Sequence, residues 1–174
     1  MENAVLKVLE ERRSVRKYKS VQVEEEKLQA ILRAGTYAAS GMGKQPAIMV
    51  VVQDEETRET LRRMNASVMG NPNIDPFYGA PTIVIVLADR SSGTYLEDGS
   101  LVMGNLMNAA HAVGVDSCWI HRAKEEFESE EGKALLKKWG IEGDYAGIGH
   151  CILGYRDCEY PDAKPRKENY IYRV

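Results

Sequence analysis

The chain has no apolar run approaching the roughly 18 residues of a membrane-spanning helix. Nothing in Met1-Glu2-Asn3 supplies the basic start or apolar core of a secretory signal. Cysteine is scarce. Cys118, Cys151 and Cys158 make an odd set without framework spacing, so they read as reduced thiols of a cytoplasmic protein. Surplus positive charge is missing as well: the formal net charge is -3, whereas a nucleic-acid binder wants a continuous basic surface. Internal repeats and low-complexity segments are absent. What remains is 174 residues, 44% hydrophobic and 28% charged, which suits a single soluble domain over 1–174 with its own core.

Familiar catalytic signatures are lacking too. Gly147-x-Gly149 followed by Gly154 opens no helix and is no dinucleotide fingerprint. Ser40-Gly41 lacks the G-x-S-x-G elbow of a serine nucleophile. Cys118-x-x-His121 and His150-Cys151 are zinc-ligating types, but neighbours on a strand point to opposite faces. No second close-spaced pair accompanies them, so the two cysteines read as small buried hydrophobes. A chain with no evident acid, base or nucleophile set leaves the hard chemistry to a cofactor.

Periodicity predicts a mixed set of elements. Ala4–Glu11 reads as a helix capped by Asn3, and 24–39 as a second helix with acids in its first turn. Strands are expected at 48–52, 82–88, 116–120 and 147–154, with 82–88 apolar on both faces and therefore central. Asp54 caps a helix over 57–69, and Ser129 caps another reaching Trp139. Segment 96–113 has little polar face, which predicts a helix buried in the core or against another subunit. Loop 70–81 holds three prolines and no periodicity, as a lid or wall would. Helices and strands do not alternate strictly, so the fold class is α+β. The segment 156–174 is polar, rich in Tyr and Pro, and has no face that packs alone.

What the chain does have is two concentrations of cations. Arg12-Arg13-Ser14-Val15-Arg16-Lys17 gathers guanidinium forks and a hydroxyl just after the first helix. Such groups bind a terminal phosphate, although cations at a helix end are also favoured by the macrodipole. Lys164-Pro165-Arg166-Lys167 supplies a second cluster near the other end. Local cation clusters in an acidic chain fit a small anionic cofactor.

With Ser40-Gly41-Met42-Gly43-Lys44-Gln45-Pro46 between them, these motifs resemble the FMN-binding nitroreductase family in order and spacing, over essentially the whole chain. The resemblance implies a three-layer fold: a central, mostly antiparallel sheet flanked by helices. It also implies an intimate homodimer whose C-terminal tails wrap the partner subunit. Arg12, Arg13, Ser14 and Arg16 would hold the FMN phosphate, ribityl chain and pyrimidine edge, and Lys164 and Arg166 would close on the phosphate. Ser40, Gly41, Met42, Gly43 and Gln45 would reach the flavin from the other subunit, with Ile120 and His121 on its other face. Gly43 stands where the family usually has Asn, and Ala47 where it often has an aromatic. Both departures imply a roomier pocket, or one walled by Phe77 and Tyr78. The implied activity is ping-pong transfer of hydride from NAD(P)H, through FMN, to a nitroaromatic, quinone or other electron-poor small molecule. Reductive dehalogenation or flavin fragmentation on the same scaffold, and a non-enzymatic flavin electron carrier or sensor, are the alternatives. No nucleic acid, membrane or metal enters this reading.

Overall fold

The computed structural model describes all 174 residues. Strands β1 (Ala47–Val52), β2 (Thr82–Asp89), β3 (Asp116–Ile120) and β4 (Tyr145–Gly154) form one sheet in the order β1-β2-β4-β3. Every neighbouring pair is antiparallel. β2 is interior, as its double-sided apolar pattern predicts, and its side chains divide with period two. Ile83, Ile85 and Leu87 enter one core, and Val84, Val86 and Ala88 enter the other.

Helices α2 (Glu25–Thr36) and α4 (Tyr95–Ala112) cover the second of these cores through Leu28, Ile31, Met103 and Leu106. Helices α3 (Glu55–Val68), α5 (Ala123–Glu128) and α6 (Glu130–Lys138) cover the first through Leu61, Phe127 and Leu136. The result is the expected helix–sheet–helix sandwich. Helix α1 (Ala4–Glu11) touches α4 but has no buried residue.

The second helix needs a new boundary, and two other expectations gain detail. Helix α2 stops at Thr36, because Tyr37 and Ala38 tighten onto the carbonyls of Ala34 (3.2 Å) and Gly35 (3.1 Å). Within one chain helix α4 leaves Leu96 and Leu101 each 49% exposed, the face that the expectation of burial against another subunit concerns. Loop 70–81, expected as a lid or wall, is anchored in the core by Phe77 and Ala80, while residues 70–73 are exposed. Asp75 folds it by accepting the backbone N–H groups of Phe77 (2.8 Å) and Gly79 (2.6 Å), an Asx-type turn. Phe77 then packs edge-on to the buried His150 ring at 5.2 Å.

Candidate functional site

The segment after α1 runs extended along the outer edge of β3. Val15 donates its N–H to Ser117 O at 3.1 Å, and Lys19 donates to Tyr155 O at 2.8 Å. Val15 is fully buried, so its neighbours Ser14 and Arg16 turn to the opposite side. The Arg12 Nη1 atom is buried and has no hydrogen-bond partner, and neither has Ser117 Oγ on the adjoining strand. Burial pushes the Cys118 thiol upward, while Arg16, the Ser14 hydroxyl and Arg12 pull the other way. These three groups therefore surround the start of β3. Arg13 differs. Its Nη1 donates to the carbonyls of Glu10 (2.7 Å) and Arg12 (2.9 Å), so part of its fork closes the end of α1.

The loop between α2 and β1 holds a single 3₁₀ turn, Gly41–Gly43. Met42, Gly43 and Gln45 lie in the left-handed region with φ of 53°, 67° and 51°. Non-glycine residues there store strain that surrounding contacts must hold. The main contact is Asp98 on α4, which is 4% exposed. It accepts the Gly41 N–H at 2.9 Å and the Thr94 hydroxyl at 2.8 Å. A side chain at position 41 would put its Cβ 2.3 Å from Thr94 Oγ1, so it would push that hydroxyl off Asp98. Ser40 Oγ accepts the Gln45 N–H at 3.1 Å, and Met42 is 87% exposed at the tip.

A third component is the turn after β3. Ile120 is buried in the core, so only its backbone faces outward, while His121 is exposed. Arg122 has φ of 80°. Asn65 on α3 pins the turn. Its Nδ2 donates to His121 O at 2.9 Å and also to Glu126, and its Oδ1 accepts from Arg122 Nε at 2.9 Å. Glu126 Oε2 in turn lies 3.2 Å from His150 Nε2, with both side chains wholly buried.

The nitroreductase family profile matches residues 9–155. The chain belongs to the nitroreductase family. A protein of Archaeoglobus fulgidus, provisionally named NADH dehydrogenase/NAD(P)H nitroreductase, is 32% identical over 86% of this chain and 84% of its own length. A Bacteroides fragilis nitroreductase crystallised with bound FMN superposes with a TM-score of 0.89 at 29% identity, over 99% of this chain and all of that one. The FMN-bound nitroreductase of Desulfitobacterium hafniense gives a TM-score of 0.89 at 26% identity, with both chains fully covered.

Against that family frame, the Gly43 departure keeps the backbone and drops a side chain. Position 43 sits at φ 67°, where Gly and Asn are the residues most at home. Ala47 helps line a cleft of about 120 Å³ with Ser40, Gln45 and Asp98. Phe77, expected on a pocket wall, is 3% exposed in the core, whereas Tyr78 is 39% exposed. Lys164 and Arg166 lie in an exposed stretch of tail, where Arg166 donates only to Lys164 O, at 3.2 and 2.6 Å. Within one chain, then, Arg166 makes no hydrogen bond to the body of the domain. Asp98, Asn65 and Ser117 escaped the sequence reading. The available signal was an aspartate in the first turn of a largely apolar helix.

Proposed function

We propose that this nitroreductase-family chain is an FMN-dependent oxidoreductase that works as a homodimer in the cytoplasm. The observation that carries the reading is the buried, unpartnered Arg12 Nη1 beside Ser14 and Arg16. Buried charged donors are almost always paired, and a phosphate oxygen is the partner this set suits. Membership of the family and FMN in its structural relatives support the same assignment.

In this reading Arg12, Ser14 and Arg16 hold the phosphate and ribityl end, joined by Lys164 and Arg166 of the tail. The Ser40–Gln45 loop presents Gly41, Met42, Gly43 and the Gln45 amide to the ring bound by a second copy. The backbone of Ile120 and His121 lines the ring's other face, and Tyr78 stands at the acceptor entrance. Bound FMN supplies the redox chemistry, taking hydride from NADH or NADPH and passing it to a nitroaromatic, quinone or similar acceptor in alternate half-reactions. The arginines would neutralise the phosphate charge, and the Asp98-held loop would keep the facing wall in place.

The test is direct. The pigment released by heat from purified protein should be FMN by mass, and stopped-flow mixing with NADH or NADPH should bleach it before an acceptor panel restores it. Recovery of FAD, no flavin after reconstitution, or a flavin that neither nucleotide reduces would overturn the proposal.

A further inference from the structure

Tyr160 belongs to none of the cofactor motifs, yet its phenol sits at the root of the site. Tyr160 Oη accepts the Arg13 N–H at 2.9 Å and lies 3.0 Å from the Glu11 carbonyl, to which it donates. Those two backbone groups flank Arg12. One oxygen thus brackets the residue whose Nη1 is buried and unpartnered.

The hydrogen-bond inventory fixes the neighbour's role as well. A phenol has one proton to give. Spent on Glu11, it leaves Oη as the acceptor toward His111 Nδ1, 3.3 Å away, which assigns the ring proton of His111 to Nδ1. The ring itself is clamped. His111 stacks on it with centroids 5.9 Å apart and planes 9° apart, and the Arg156 guanidinium lies 5.0 Å from its centroid.

We propose that Tyr160 is a positioning residue for the phosphate end of the cofactor site, a latch from the C-terminal tail that fixes the Arg12 backbone, with His111 as its proton donor. The inference rests on the FMN reading above. A tyrosine that merely staples the tail would affect every ligand through general stability. A latch on Arg12 acts on the phosphate and spares the ring system.

Tyr160→Phe keeps the ring and deletes only Oη. FMN affinity should fall roughly tenfold, while riboflavin, which lacks the phosphate, changes by less than about twofold. Hydrogen exchange at the Arg13 amide should accelerate, because Oη is its acceptor. His111→Ala provides the second variant, with a smaller loss in the same sense, FMN more than riboflavin. Equal losses for the two flavins, no loss for either, or unchanged Arg13 exchange would overturn the latch while leaving the FMN site standing. A wild-type chain that binds no FMN would instead overturn the site itself, and the latch with it.

Discussion

Arg12 is the residue whose surroundings ask most plainly for a ligand. Its buried Nη1 lacks a partner, and an unpaired charged donor costs several kcal/mol, on the order of 3. Arg12→Ala should therefore weaken FMN binding by roughly ten- to a hundredfold and hardly touch riboflavin, as read by fluorescence titration of apo-protein. Asp98 is the corresponding residue for the facing loop. Asp98→Ala would leave the Gly41 N–H and Thr94 hydroxyl without their acceptor. Each orphaned group costs about 1–3 kcal/mol, and Met42 and Gln45 would relax from their left-handed backbone. The expected result is weaker binding of both FMN and riboflavin, since the loop serves the ring, together with a fall in melting temperature of several degrees or more. Unchanged flavin affinity would separate the loop from the cofactor. The cation cluster was legible in the sequence because residue type alone carries phosphate chemistry. Asp98, Asn65 and Tyr160 were not, because each acts on a backbone group distant in sequence, which spacing does not reveal.

Capped elements were the easiest part of the fold to read. Asn3, Asp54 and Ser129 each accept a backbone N–H in the first turn of the helix they open, as short polar side chains at that position do. Helix α5 escaped notice, being six polar-rich residues opened by Arg122 in the left-handed region with no side-chain cap. The caps also make a pH prediction. The Thr57 N–H, 2.8 Å from Asp54 Oδ1, is the largest influence holding that carboxyl below its usual value. A depressed carboxylate pKa adds stability that is complete above the unfolded value, about 3.9, and fades as the pH drops through the folded one. Asp54→Ala should lower the melting temperature by a few degrees at neutral pH. The gap between variant and wild type should narrow as melts are repeated toward pH 3, about a unit below the unfolded value. A constant gap across that range would place the effect elsewhere than in the cap.

At the scale of the whole molecule, the surface carries more apolar area than one chain can use. Helix α1 shows Val5 at 67%, Leu6 at 45% and Leu9 at 51% exposure, and the tail shows Tyr170 at 68%, Ile171 at 80% and Tyr172 at 79%. Scattered apolar residues are ordinary on a surface, but an amphipathic helix with no buried residue and an extended aromatic tail together want a cover. In the proposed homodimer a second copy would supply it, and would also explain why the Arg166 guanidinium finds only its own tail's carbonyl. Light scattering at micromolar concentration should then report about twice the 19.5 kDa chain mass. Removing 161–174 should leave the domain folded, because every one of those residues is exposed, but should shift the mass toward monomer and abolish tight FMN binding. Arg166→Ala separates the tail's two tasks, weakening FMN by roughly ten- to a hundredfold while the dimer persists and riboflavin binding is unaffected. A truncated chain that remains dimeric with FMN bound would assign both the interface and the phosphate to other residues.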